Sequence, residues 1–136
     1  MSPAAMVARA VGTVVGAALV VAAAATARAY GQSPSDALRG DPVHGKDVYQ
    51  GCMGCHSLDE DDVGPRHRGV VGRAAGTVPG YAYSPALKRS GLVWTPANLN
   101  NWLTSPQGLV PGAKMFFSLS NAKDRADVIA YLAQQR

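Results

Sequence analysis

Two cysteines and a histidine form the most chemically specific pattern in this sequence of 136 residues. Cys52 and Cys55 are separated by two residues, and His56 follows the second cysteine directly. This spacing is typical of covalent haem attachment, in which two thiols form thioether bonds to the porphyrin and the histidine ligates the iron. The sequence therefore predicts one covalently bound haem c, with His56 as an axial ligand of its iron.

Two other kinds of site use paired cysteines. A redox-active Cys-x-x-Cys motif belongs to an alternation of strands and helices, and no such alternation surrounds Cys52. A structural zinc site needs a second ligand pair, but the chain has 2 cysteines, and His44 and His67 are not spaced as a pair. The sequence therefore disfavours both of these sites.

The beginning of the chain has the pattern of an export signal. Arg9 precedes an uncharged run over residues 10–27, made mostly of Ala, Val and Gly, which ends in the small-x-small pattern Ala27-Arg28-Ala29. This arrangement predicts a signal peptide over residues 1–29, cleaved after Ala29, and a periplasmic mature protein. The alternative is an uncleaved segment that anchors the protein in the inner membrane, facing the periplasm.

The rest of the chain is expected to form one small domain. Residues 30–41 are polar and contain Gly, Ser and Pro, which predicts a flexible lead before a domain over residues 42–136. The chain has 13 basic and 9 acidic residues, and two of the basic residues lie in the predicted signal. The remaining positive charge is too small to indicate nucleic-acid binding. Because the haem uses both cysteines, none is left for a disulfide.

The fold class predicted from the local pattern is all-α. Helix starts are indicated where a polar cap precedes proline or helical spacing, at Asp41-Pro42, Ser84-Pro85, Thr95-Pro96 and near Ser120 or Asn121. Gly45, inside the first of these helices, predicts close packing against another backbone. Residues 64–80 are rich in Gly and Pro, which predicts a long irregular loop around the haem edge.

A second axial ligand is expected among the methionines and histidines. The chain has 4 methionines; two lie in the predicted signal, and Met53 sits between the cysteines and cannot cross to the opposite face of the ring. Met115 remains, and Pro111-Gly112 before it predicts a turn that directs its side chain to the iron. His44 and His67 compete for this role, although arginines on both sides of His67 indicate exposure to solvent.

From Gly45 to the C-terminus, the chain resembles class I cytochromes c of the mitochondrial and bacterial cytochrome c2 type. The motifs that carry the resemblance recur in order, and they are Cys52-Met53-Gly54-Cys55-His56, Gly64-Pro65, Gly72-Arg73, Pro79-Gly80-Tyr81-Ala82-Tyr83, Gly91-Leu92-Val93-Trp94, Pro111-Gly112-Ala113-Lys114-Met115 and Arg125-Ala126-Asp127-Val128-Ile129-Ala130-Tyr131-Leu132. The resemblance implies the small cytochrome c fold, in which helices and long loops wrap one covalent haem. It also implies a monomeric electron carrier and not an enzyme.

The resemblance also implies roles for residues around the ring. The Pro65 carbonyl would accept the second ring hydrogen of His56. Arg73, Tyr83 and Trp94 match residues that bond the haem propionates. Phe117 matches an aromatic residue that covers the methionine side of the ring.

Three positions depart from the family pattern. Trp102 stands where the family usually has a tyrosine whose hydroxyl approaches the methionine sulfur, and its indole is not expected to reproduce that contact. Leu87 and Ala113 replace an asparagine that orders an internal water and a threonine that contacts a propionate. These changes predict a drier pocket.

The partners implied by the resemblance are other redox proteins, such as quinol–cytochrome c reductase, a terminal oxidase, a photosynthetic reaction centre or a periplasmic dehydrogenase. A haem enzyme or gas sensor is the alternative if Met115 is displaced. A run of four acids is predicted to be a solvated loop, with a docking patch for a basic partner as the alternative; the run is Asp59, Glu60, Asp61 and Asp62.

Overall fold

The computed structural model describes residues 39–136, so the predicted signal peptide and most of the predicted lead lie outside the described residues. In residues 39–136, long loops join five α-helices and one 3-10 helix, namely α1 (Pro42–Tyr49), the 3-10 helix (Gln50–Cys52), α2 (Pro85–Arg89), α3 (Pro96–Thr104), α4 (Pro106–Leu109) and α5 (Ala122–Gln134). The only strand-like pairing in this part of the chain is one isolated bridge, between Ala74 and Val93. The all-α prediction is therefore confirmed.

Within residues 39–136, the structure contains no helix with both the length and the apolar character needed to span a bilayer.

Side-chain caps begin the helices where the sequence predicts them. Asp41 accepts a hydrogen bond from the Val43 amide before α1, and Asn121 accepts from two amides at the start of α5. Ser84 and Thr95 cap α2 and α3 in the same way. The sequence analysis missed α4, which Ser105 caps with its own side chain.

The long loop over residues 64–80 is held by backbone hydrogen bonds to the segment before α3. The Gly72 amide donates to the Trp94 carbonyl at 2.9 Å, and the Trp94 amide donates back to the Arg73 carbonyl at 2.9 Å. The Ala75 amide donates to the Leu92 carbonyl at 2.8 Å. These bonds position Arg73 and Trp94 next to each other without a regular strand.

The first and last helices cross with their backbones in contact. A Cβ atom on Gly45 would lie 1.9 Å from the carbonyl oxygen of Asp127, which no side chain can tolerate. A Cβ atom on Gly40 would lie 2.0 Å from the carbonyl oxygen of Ala126. The prediction that Gly45 packs closely against another backbone is therefore confirmed.

A buried carboxylate joins the two helices at this crossing. Asp127 is 1% exposed and accepts hydrogen bonds from the Asp41 amide at 2.7 Å, His44 Nδ1 at 2.7 Å and Lys123 Nζ at 2.5 Å. Burial raises the pKa of this carboxyl, but the bonds from Lys123, Asp41 and His44 outweigh it and lower the pKa to about 2. The ionised carboxylate is therefore the form that the fold stabilises.

We expect Asp127→Asn to lower the free energy of unfolding at pH 7 by about 2 kcal/mol, the equivalent of lowering a pKa from 3.8 to about 2. The contribution of Asp127 is complete above pH 3.8 and is lost as the pH falls through 2, because the folded carboxyl has the lower pKa. Guanidinium unfolding between pH 2 and 7 measures this, and the exposed Asp47 of α1, changed to Asn, is the control. Equal acid sensitivity of Asp127→Asn and wild type would contradict it.

Candidate haem site

The two cysteines and the histidine lie on one tight turn at the end of the 3-10 helix. The amides of Cys55 and His56 both donate to the Cys52 carbonyl, at 3.1 and 3.0 Å. This turn places all three side chains in the wall of a single cavity of about 290 Å³. The two-residue spacing of the cysteines therefore suits attachment, because the hydrogen-bonded turn presents both sulfurs on one side.

His56 has a defined tautomer. Its Nδ1 lies 2.7 Å from the Pro65 carbonyl oxygen, which can only accept, so Nδ1 carries the hydrogen and Nε2 keeps a lone pair. Burial lowers the pKa of His56, although the bond to Pro65 opposes this. Gly64 leaves room for the ring, because a Cβ there would lie 2.1 Å from His56 Cε1. His56 is therefore a neutral imidazole with Nε2 available to a metal.

His67 is not the solvent-exposed residue that its flanking arginines predicted. Its ring stacks on His56 with centroids 4.0 Å apart and planes 20° apart, and its Nδ1 lies 3.2 Å from the Tyr49 hydroxyl. Burial, with His56 and Arg73 nearby, lowers the pKa of His67 to about 3, so the ring is neutral. A ring stacked beside the first ligand is not placed to reach the opposite face of a haem.

His44 is outside the cavity lining altogether. Its side chain is 46% exposed and bonds Asp127 at the crossing of α1 and α5. His44 is therefore a surface histidine, whereas the exposure predicted for His67 is wrong.

Met115 lines the same cavity as His56, and its sulfur has a partner that the sequence analysis did not expect. Trp102 Nε1 donates to Met115 Sδ at 3.2 Å. The expectation that indole cannot replace the tyrosine contact is therefore wrong. Trp102 is buried on α3, and its ring meets Trp94 edge to face at 5.1 Å, which orients the N–H.

The residues implied to contact propionates all line this cavity, namely Arg73, Tyr83 and Trp94. The Arg73 guanidinium donates to the carbonyls of Arg68 at 3.1 Å and Arg66 at 2.8 Å. The Tyr83 hydroxyl oxygen accepts from the Val78 amide at 3.4 Å. Both side chains are therefore held from behind while lining the cavity.

The remaining predicted residues are apolar and lie in or beside the cavity. Phe117 lines it and is 49% exposed, and Leu87 lines it while buried. Ala113 is 3% exposed and packs in the core. This apolar cavity fits a large flat aromatic group, because its wall supplies two thiols for thioether bonds and an imidazole nitrogen and a thioether for iron. The Arg73 guanidinium can pair with carboxylates of such a group.

The sequence analysis missed Tyr49 as a site residue. Tyr49 is 2% exposed, and its hydroxyl bonds His67 behind the proposed ligand. One signal was available, because Gly45 and Tyr49 are four residues apart and share a face of α1. Burial raises the pKa of Tyr49 to about 12, with Cys52, Tyr131 and Asp59 adding to the effect.

The acidic run is an exposed loop whose charges are partly paired within the protein. Arg68 bonds Asp59 at 2.5 and 3.0 Å, and Arg66 bonds Asp61 at 3.2 Å. Exposed ion pairs of this kind contribute little to stability. They do neutralise half of the run, which weakens the alternative of a docking patch for a basic partner.

Sequence comparisons find similarity to cytochromes c. The family model described as Cytochrome c matches residues 42–136. Cytochrome c2 of Rhodomicrobium vannielii is 46% identical over 125 residues, which cover 89% of this chain and 91% of that protein. Cytochrome c2 of Rhodopseudomonas palustris is 42% identical over 110 residues, covering 68% of this chain and 96% of that one.

Solved structures show the same similarity to cytochromes c. The structure of cytochrome cH from Methylobacterium extorquens superposes with a TM-score of 0.67 at 46% sequence identity. The superposition covers 69% of this chain and 98% of that one.

Proposed function

Because the chain belongs to the cytochrome c family and is a single-haem electron carrier, not an enzyme, we propose that Cys52 and Cys55 hold the haem and that His56 and Met115 ligate its iron. When bound, haem c supplies one iron that changes between the ferric and ferrous states, so the protein carries one electron when this iron is reduced. The observation that supports the assignment is that one cavity is lined by both thiols, the imidazole and the thioether.

The two proposed ligands differ in how the chain holds them. The Pro65 carbonyl orients His56 and increases the electron donation of its Nε2. The Trp102 N–H occupies one sulfur lone pair of Met115 and leaves the other for the metal. A thioether is the softer donor of the two and favours the reduced state.

Arg73, Tyr83 and Trp94 are proposed to hold the haem propionates. A guanidinium has five N–H donors, so the two bonds of Arg73 to backbone carbonyls leave donors for a carboxylate. The Tyr83 oxygen accepts from Val78, which leaves its own hydrogen free to donate. Phe117 is proposed to cover the Met115 side and, with Leu87, to exclude water.

We expect Met115→Ala to open the iron to external ligands and to lower the midpoint potential. The fall should be about 0.1 V or more, within the roughly 0.8 V over which axial ligands set haem potentials. Redox titration and binding of cyanide or imidazole to the purified holoprotein measure both effects. An unchanged potential together with unchanged ligand binding would overturn the Met115 assignment.

We expect Trp102→Phe to lower the potential more modestly, because sulfur freed of the hydrogen bond donates more strongly and favours the ferric state. A bond of 0.5–1.5 kcal/mol corresponds to about 20–60 mV for one electron. The sulfur-to-iron charge-transfer band checks that Met115 stays bound in the variant. With the band intact, an unchanged potential would show that the contact does not tune the sulfur, and a higher potential would show that its effect has the opposite sign.

The proposed location is the periplasm, after cleavage of residues 1–29. This proposal is supported by the sequence pattern of those residues. We expect the intact mass of the mature holoprotein to correspond to a chain beginning at Tyr30. A mass that includes residues 1–29 would favour the alternative, a carrier anchored in the inner membrane.

The proposed partners are the four classes of redox protein named from the resemblance: quinol–cytochrome c reductase, a terminal oxidase, a photosynthetic reaction centre or a periplasmic dehydrogenase. Docking is proposed at the exposed mouth of the cavity, where Val63 and Phe116 are 70% and 78% exposed. Encounters between redox proteins are typically small and transient, which suits a monomeric carrier.

A further inference from the structure

One glutamine side chain spans the loop that carries Met115. Gln107 lies in α4, and its Nε2 donates to the carbonyl oxygens of Ala113 at 2.7 Å and Met115 at 2.9 Å. Its Oε1 accepts from the Gly112 amide at 3.2 Å. A primary amide has two N–H donors, so both are used, one on each side of residue 114. The half-buried side chain of Gln107 therefore bonds the backbone at three points in four residues.

These bonds matter because the loop between α4 and α5 has no regular secondary structure of its own. Its turn is closed by the Ala113 amide on the Val110 carbonyl at 3.1 Å, with Gly112 at φ +87°. Its far end is held by the Leu119 amide on the Leu103 carbonyl at 2.7 Å. Between these anchors, Gln107 fixes the orientation of two peptide groups, the one that joins residues 113 and 114 and the one that joins residues 115 and 116.

Met115 is thereby held at two ends by two different helices. Its sulfur accepts from Trp102 of α3, and its carbonyl accepts from Gln107 of α4. The bond at the sulfur acts on electron donation, whereas the bonds at the backbone act on the position of the residue. A loop released at the backbone can carry the sulfur away even when the Trp102 contact is available.

We propose that Gln107 is a positioning residue for the sixth iron ligand, and that its amide clamps residues 112–115 and slows the departure of the Met115 sulfur from the metal. This inference rests on the proposed ligation by Met115. The amide is suited to the task because it donates twice and accepts once. Glutamate would present only acceptors to two carbonyls, and lysine would lack an acceptor for Gly112.

Stopped-flow binding of imidazole to the ferric holoprotein tests the clamp. At high imidazole the observed rate reaches a ceiling set by dissociation of the Met115 sulfur. We expect Gln107→Ala to raise this ceiling about tenfold, which corresponds to about 1.4 kcal/mol, the contribution of one or two such hydrogen bonds. Gln107→Glu should raise the ceiling at least as much, because it removes both donors while keeping the size of the side chain.

Gln135→Ala is the matched control. Gln135 is also half-buried, and its Nε2 donates to the Tyr131 carbonyl at 3.2 Å, far along the chain from the Met115 loop. The limiting rate of imidazole binding to Gln135→Ala should equal that of wild type. Guanidinium unfolding followed by circular dichroism measures the global stability of each variant. A raised ceiling in both Gln107 variants, with a wild-type ceiling in Gln135→Ala, supports the clamp.

Two results would overturn the proposal. One is a wild-type ceiling in both Gln107 variants, and the other is a rise that Gln135→Ala shares in proportion to its loss of global stability. Failure of the proposed function is recognised separately, in the wild-type protein. If the ferric wild type lacks the sulfur-to-iron charge-transfer band, Met115 is not the ligand, and both the ligand assignment and the clamp are wrong.

Discussion

The hydrogen bond between His56 Nδ1 and the Pro65 carbonyl is the interaction on which the chemistry of this protein depends. At 2.7 Å it fixes the hydrogen on one ring nitrogen and leaves the other nitrogen for a metal. The bond joins the attachment turn to the start of the long glycine-rich loop, so loop and ligand are positioned together. Gly64 makes the approach possible, because a side chain there would collide with the ring.

Side chains of α1 and the long loop support the His56 ring. Behind His56, the ring of His67 and the hydroxyl of Tyr49 form a packed polar contact between α1 and the loop. Tyr49 itself packs against Tyr131 of α5, with ring centroids 5.3 Å apart. The crossing of α1 and α5 therefore stabilises the attachment turn, since α1 leads directly into it.

On the methionine side, side chains from two helices hold the ligand by hydrogen bonds. Trp102 and Gln107 come from neighbouring helices, and each bonds a different part of Met115. Lys114 adds a third link, because its ammonium donates to the Ala82 carbonyl in the segment between the long loop and α2. An irregular loop can hold a ligand firmly when several elements each fix part of it.

The local sequence determined a large share of this protein. The spacing of Cys52, Cys55 and His56 specified the attachment turn, because a hydrogen-bonded turn brings residues three and four apart to one side. Caps and prolines specified the helix starts to within a residue or two, because capping bonds form between neighbours in the chain. Gly45 indicated the helix crossing, because a glycine inside a helix is favoured where another backbone approaches too closely for a side chain.

Only the tertiary structure decided the contacts between distant side chains. The arginines beside His67 indicated exposure, yet they turn outward to Asp61 and Asp59 while His67 turns inward to the cavity. Trp102 was expected to lose the contact with sulfur, but the placement of α3 brings its N–H to Met115. Such contacts depend on the angles at which loops and helices meet. Those angles are set by packing of the whole core, which residue spacing along the chain does not encode.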